Sequence, residues 1–282
     1  MSFSGDIKIE LSKMNNLKNK QEVYAEFLGY LVTINLDEKN DIKFLTESQY
    51  NINRFSKLLS NINIVKYKIE IQGKNYIITF KNQEKFKEID TEYLQTYTNT
   101  DNLKKAFIRG TFLGGGYLND PQNKYHMEIG FSKSAYAEYA VNILNEFGIK
   151  AKLLNREKET SLYIKDGEEI SKCLALIGAN SSVIKFEEVR VIRDMKNNVN
   201  RLVNCETANL NKTIGAAVEQ TKLIKAIKKS GKFNSLPDDL KEIANLREKN
   251  PNATLEELGK MLSKPIGKSS VSHRFKKIKE YL

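Results

Sequence analysis

The sequence predicts an α+β protein: a mixed body built twice from the same run of elements, followed by an all-α module. Three observations predict it. Two long segments repeat each other at an offset of 84 to 86 residues. Each repeat opens with a helix that carries glycine. The last 29 residues, Thr254 to Leu282, read as two short helices joined by a turn, the second of them cationic.

The repeat aligns TESQYNINRFSKLLSNINIVKYKIEIQGKNYIITFKNQEKF with FSKSAYAEYAVNILNEFGIKAKLLNREKETSLYIKDGEEI, so that Ser48 matches Ser134 and Leu58 matches Leu144. A period this long, seen twice, indicates a duplicated domain and not a solenoid. The opening helices are predicted at about Lys20 to Ile34 and Asn102 to Gly115. Strands follow at IKFLTE and YHMEIGFS, where apolar and polar residues alternate as in a half-buried strand. Helices are predicted next at Tyr50 to Leu59 and Ala135 to Phe147. Hairpins come after them: VKYKIEI with YIITF around Gly73-Lys74-Asn75, and AKLLNR with SLYIK around Glu157-Lys158-Glu159. A short helix closes each half, after Asn82 and after Asp166, and the polar stretch Thr91 to Thr100 joins the halves. The expected divisions are 1–90, 91–195, a helical linker at 196–235 and the module at 236–282. Asn197, Asn198 and Asn200 read as the break between body and linker.

In the module, Asp238 lies near the cap of a helix that turns Leu240, Ile243, Ala244 and Leu246 inward, and Asn250-Pro251-Asn252 ends it. TLEELGKML follows, with Thr254 as N-cap and Glu257 three residues on, the spacing of a capping box. Pro265 and Gly267 in SKPIG stop that helix. KSSVSHRFKKIKEYL restarts it, with Val271, Phe275, Ile278 and Leu282 on one apolar stripe. This pattern suits the second helix of a helix-turn-helix, which lies in the major groove of DNA. The competing reading is a basic amphipathic helix packed on its own domain.

Charge points the same way. The chain carries a net +11, and Thr221 to Leu282 holds 15 Lys+Arg against 7 Asp+Glu, or +8 of it. A basic terminal module suits a polyanion, and such binding weakens steeply with salt as counterions are released. The expected partner is double-stranded DNA. No apolar run has the roughly 18 residues of a membrane span, and the N-terminus lacks the apolar centre of a signal peptide. The expectation is a cytoplasmic, nucleoid-associated protein without a membrane partner. Cys173 and Cys205 read as buried thiols. No Cys, His, Asp or Glu cluster has zinc spacing, His126 on its strand reads as structural, and no cofactor or metal is expected.

The candidate DNA-contacting residues are Thr254, Lys264, Lys268, Ser269, Ser270, Ser272, His273, Arg274, Lys276 and Lys277. The serines can donate to bases or phosphates, His273 can reach either, and Arg274 can take guanine O6 and N7 together. Lys276, Lys277, Lys264 and Lys268 suit phosphates, which position a protein without reading sequence. Lys43, Lys66, Lys68 and Lys81 fall on first-half strands, where solvated surface is the preferred reading.

The stretch Ile108 to Asp120, IRGTFLGGGYLND, holds glycines at 110, 114, 115 and 116. Helical glycine costs about 1 kcal/mol relative to alanine, so the cluster needs a reason. Phosphate cradling is one, but there is no GxxxxGK[ST] and the glycines end a helix. Close approach of two helices is the preferred one, with Gly29 as the counterpart in the first half.

The repeat and its glycine helices resemble the LAGLIDADG homing-endonuclease fold, two αββαββα halves meeting at paired motif helices. On that motif, Ile108 to Gly116 places the metal-binding acid at Gly115, and Phe27 to Asn35 places it at Ile34. Neither side chain offers the oxygen that Mg²⁺ requires, and two-metal cleavage needs carboxylates. The resemblance therefore implies the nuclease scaffold without its catalysis; an active homing-type endonuclease is the alternative. A degenerate scaffold followed by a helix-turn-helix is similar to the WhiA family. FIRGTFLGGGYLNDP, NRLVNCETANLNKTIGAAVEQ and the segment from LPDDLKEIANL to SHRFKKI carry the likeness. The resemblance implies a non-enzymatic, sequence-specific DNA-binding regulator of transcription, linked to cell division, chromosome segregation and sporulation. It also implies that the body either adds a DNA-facing saddle or serves as a protein-binding platform. Family members can run further than Leu282, which leaves room for the final helix to be incomplete here.

Overall fold

The computed structural model describes residues 2–35, 41–83, 86, 89–155 and 160–282. It separates into two compact units, Met1–Asp194 and Met195–Leu282. In the first unit the elements run α1 (Phe3–Ser12), α2 (Lys20–Leu31), β1 (Asp41–Thr46), α3 (Gln49–Asn61), β2 (Tyr67–Gln72) and β3 (Asn75–Lys81). They continue with α4 (Thr91–Tyr97), α5 (Asp101–Gly115), β4 (Gly116–Leu118), β5 (Met127–Phe131), α6 (Ser134–Glu146), β6 (Lys152–Asn155), β7 (Thr160–Ile164) and α7 (Gly167–Ile177). Helix α8 (Asn180–Lys229) contains the division between the units.

The duplication is visible in the strand order. The first sheet runs β1-β3-β2, and the second runs β4-β5-β7-β6, so β5-β7-β6 repeats the first with one strand added at the edge. All pairs are antiparallel, and Lys43 and Lys68 both face Thr79 of β3. Ile42 and Phe44 point into the core while Lys43 and Leu45 point out, the period-2 alternation of a strand with one face buried. Aromatic packing fills the first half: Phe55 lies 4.7 Å from Phe44, 4.8 Å from Tyr30 and 6.1 Å from Phe27, centroid to centroid.

At the centre, α2 and α5 meet through glycine. A Cβ on Gly29 would lie 2.8 Å from Gly110 Cα and would overlap Phe107 O; one on Gly110 would lie 3.0 Å from Gly29 Cα and would overlap Glu26 O. No real Cβ makes such contacts, so this seam admits only glycine on either side. Close helix approach, and not phosphate cradling, accounts for these two positions. The same seam holds a buried ion cluster. Glu26 accepts from Arg54 Nε at 2.5 Å and from Arg109 Nε at 2.9 Å. Arg54 also donates to Met14 O at 2.9 Å and Asn16 Oδ1 at 2.7 Å, and Arg109 donates to Ile177 O at 3.3 Å. One carboxylate thus gathers α2, α3 and α5, with its partners' remaining hydrogens on other elements, which a buried charge requires.

Several expectations need correction. Helix α1 and strand β4 were not anticipated. Ser2 caps α1, and Glu10 on α1 accepts from Ser181 N at 2.7 Å and Ser182 N at 2.9 Å, a carboxylate at the positive end of α8. The expected linker Thr91 to Thr100 is partly the helix α4, capped by Asp90, with Leu94 buried. Asn197, Asn198 and Asn200 follow the division between the units at Asp194 but do not interrupt the helix; they lie inside α8, because asparagine costs a helix interior well under about 1 kcal/mol. The turn of the second hairpin, Glu157-Lys158-Glu159, and most of the short helix expected after Asn82 lie outside the described residues. No helix among them is long and apolar enough to cross a membrane.

The cysteines also divide. Cys173 is fully buried on α7, and burial pushes its thiol up to about 12. Cys205 is exposed on α8, contrary to the expectation of two buried thiols. Thiolate is the reactive form, so a native-state titration with an aromatic disulfide is expected to label Cys205 quickly and Cys173 only after unfolding. Rapid labelling of both would contradict the burial of Cys173.

Candidate nucleic-acid interface

The second unit ends in three helices: α9 (Asp238–Lys249), α10 (Leu255–Met261) and α11 (Lys268–Glu280). Their apolar faces meet in one core that includes Leu240, Ile243, Leu258, Val271, Phe275 and Ile278, together with Ile224 and Ile227 of α8. Leu282, expected as the fourth member of the α11 stripe, is exposed because the helix ends at Glu280.

Helix α10 is fixed at its start by a cap, and the turn from it into α11 is pinned by main-chain and side-chain bonds. Thr254 and Glu257 form the capping box read from the sequence: Glu257 Oε2 accepts from Thr254 N at 2.7 Å, and Thr254 Oγ1 accepts from Glu257 N at 3.2 Å. Ile266 N donates to Gly259 O at 3.1 Å. A Cβ on Gly259 would overlap Ile266 O and lie 3.2 Å from Val271 Cγ2. The chain therefore doubles back against α10 where only glycine leaves room. Ser263 N donates to Glu242 Oε1 of α9 at 2.6 Å, which ties the turn to the first helix of the module.

Arg247 organises the approach to α10 and was missed at the sequence level, where an arginine in LREKN reads as surface. It is buried, with Nε donating to Gln220 Oε1 at 2.9 Å and Nη1 to Ala253 O at 2.5 Å, next to the capping Thr254. Burial lowers its pKa from the ordinary arginine value.

Burial of Val271, Phe275 and Ile278 turns the opposite face of α11 to solvent. Lys268, Ser269, Ser270, His273, Lys276 and Lys277 are exposed, as are Lys264 in the turn and Thr254. Two of the candidates differ from the rest. Ser272 is half-buried and, with Lys276 and Lys279, lines a cleft against Gln220 and Leu223 of α8. Arg274 reaches back to α9: its Nε lies 3.3 Å from Asp239 Oδ2, and its side chain is 21% exposed. The most open residues are thus Ser269, Ser270, His273 and the lysines, with Arg274 at the rim against the half-exposed carboxylate of Asp239.

Neither position that the LAGLIDADG-type motif gives to its metal-binding acid carries one here. Ile34 has no oxygen ligand. A Cβ at Gly115 would lie 2.6 Å from Gly130 O and 3.1 Å from Thr33 Cβ, so a carboxylate has no room there. Asp120 lies in an exposed turn, where it accepts from Gln122 N at 2.9 Å. Among the described residues no group of three or more His, Cys, Asp and Glu could hold a metal ion. His126 pairs with Glu128 at 3.1 Å, and Glu128 accepts from Ser161 at 2.6 Å. On the first sheet, Lys68 pairs with Glu70 at 2.5 Å.

Comparison with known proteins agrees with both units. Residues 104–196 match the family model of the WhiA LAGLIDADG-like domain, and residues 199–282 that of the WhiA C-terminal HTH domain. The chain is 36% identical to a probable cell division protein WhiA of Clostridium tetani, over 99% of this chain and 96% of that one. It is 34% identical to the protein of the same description from Clostridium novyi, over 99% and 97%. Among solved structures it resembles full-length WhiA from Thermotoga maritima, with a TM-score of 0.61, 29% identity and coverage of 99% of this chain and 97% of that one. It also resembles the N-terminal LAGLIDADG domain of WhiA, with a TM-score of 0.53, 26% identity and coverage of 63% and 92%.

Proposed function

The chain belongs to the WhiA family, and from that premise we propose that it is a non-catalytic, sequence-specific DNA-binding regulator acting in cell division. Chromosome segregation and sporulation-type transcription control belong to the same reading. The observation that carries it is α11: a helix seated by Val271, Phe275 and Ile278, with hydroxyls, His273 and lysines on its free face. Its N-terminal residues Ser269, Ser270 and His273 would meet base edges, while Lys264, Lys268, Lys276 and Lys277 would meet phosphates. Thr254, at the N-terminus of α10, offers its hydroxyl to a neighbouring phosphate. Arg274, steadied by Asp239, would read guanine at the rim, the carboxylate fixing the direction of the guanidinium. Ser272, turned toward α8, contributes least. The body has no room for a carboxylate at Gly115 and carries none at Ile34, which supports binding without cleavage; it serves as a saddle beside the DNA or as a platform for a protein partner.

Genome-wide crosslinking, followed by titration of the recovered motif at fixed salt, tests this. Arg274→Ala is expected to weaken specific binding by about 1–3 kcal/mol and to relax preference at one base pair. The motif should stay uncut in Mg²⁺ or Mn²⁺. Equal competition by unrelated DNA, or metal-dependent cutting that survives purification, would overturn the proposal.

A further inference from the structure

From Met195 onward α8 belongs to the second unit. Every residue from Met195 to Lys212 is exposed, so this part of the helix is open on all sides. Further along, Ala216, Glu219 and Leu223 form one wall of the cleft whose other wall is Ser272, Lys276 and Lys279 of α11. In steps of three or four residues, the Glu219 side of α8 runs back through Gly215, Lys212, Ala208, Asn204, Arg201 and Asn197. That row therefore lies on the flank of α8 nearest α11.

The row has a definite chemistry. Two cations alternate with amides and small residues, and there is no acid among them. No acidic residue stands three or four positions from Arg201 or Lys212, so the helix itself does not neutralise them. Glu206, the one acid between Met195 and Val218, lies on the opposite face with Val199, Leu202 and Leu210. At the cleft, Glu219 is outnumbered by Lys222, Lys276 and Lys279. Arg201 and Lys212 stand about 16 Å apart along the axis, the span of roughly five base pairs.

Gly215 adds a second observation. Glycine weakens a helix interior, yet a Cβ on Gly215 would meet nothing within 4 Å. No neighbour among the described residues accounts for it. A bare backbone at Gly215 and a methyl at Ala208 let a bulky polyanion come close to the helix between and beside the two cations.

We propose that this row is a second nucleic-acid contact, in which Arg201 and Lys212 hold phosphates of the duplex beyond the stretch that α11 reads, and Asn197 and Asn204 donate to the same backbone. The inference rests on the reading of α11 as the recognition helix and deepens it. Phosphate contacts position a protein without reading sequence, so α8 adds affinity and footprint and leaves base preference to α11. Protein interfaces centre on buried apolar anchors, and this row has none.

The test titrates the full chain with the recovered motif, flanked by unrelated sequence, over a series of salt concentrations. Arg201→Gln combined with Lys212→Gln keeps helix propensity. It is expected to weaken binding at least tenfold, to lower the salt slope by about 2 and to leave base preference unchanged. Ala208→Glu and Leu210→Glu add the same charge two positions apart, on opposite faces of the helix. Only Ala208→Glu is expected to weaken binding at least tenfold. All four positions are exposed, so none of the variants disturbs a core. Unchanged affinity and salt slope in the double variant, or equal losses from the two glutamates, would overturn the α8 contact while leaving α11 as the reading helix. A parent chain that binds no DNA would overturn both.

Discussion

Gly110→Ala is expected to cost the body more than about 4 kcal/mol, the exceptional end of single-residue effects. Overpacking a core with one methyl group normally costs about 1–3 kcal/mol, because side chains give way. Here the neighbours are main chain. The new methyl would sit 2.9 Å from Glu26 C and 3.0 Å from Gly29 Cα, and neither can turn aside. The helices α2 and α5 would have to part. Parting them also draws Glu26 away from Arg109, now 2.9 Å distant, and leaves charge buried with less compensation. The two penalties act in the same direction. Denaturant unfolding followed by circular dichroism measures the loss, and an alanine variant as stable as the parent would show that the helices do not touch there.

Gly259→Ala is expected to have the corresponding effect on the C-terminal module, costing about 3 kcal/mol or more and weakening DNA binding at least tenfold. The methyl meets the carbonyl of Ile266, whose own N–H closes the turn on Gly259 O at 3.1 Å. Relieving the clash breaks that hydrogen bond and moves Ile266, and with it the start of α11. The free face of α11 then loses its register on the duplex even if the helix itself persists. Fluorescence anisotropy on the recovered motif, alongside a melt of the full chain, reads both consequences. Parental affinity in the variant would mean that the turn does not set the recognition helix.

The parts of this fold that follow local rules were legible in the sequence. Alternation marked β1 and β5, the capping-box spacing marked Thr254, and the recurrence of whole segments marked the two halves. The pairing of Gly29 with Gly110 was legible because helical glycine is expensive and had to be explained. What was not legible depends on residues far apart in the chain. Glu26 meets Arg54 across 28 positions and Arg109 across 83, and no periodicity links them. Arg247 reads as one more surface cation until the loop carbonyls around it are seen. Strand β4 is only three residues long, Gly116–Leu118, and its glycine looks like the start of a turn. At the candidate interface, the residue types on α11 were readable, but the attachment of Arg274 to Asp239 and the turning of Ser272 toward α8 depend on how three helices pack.

The crowding at Gly115 limits what this position can accept. With Gly130 O only 2.6 Å from where a side chain would begin, a substitution that places an acid here meets main chain before it can meet a metal ion, and costs stability first. Accommodating it needs the neighbouring strand to retreat at the same time, two coincident changes in place of one. An engineer who wants a metal ligand at this seam must therefore redesign β5 together with the end of α5, since no single exchange opens the space.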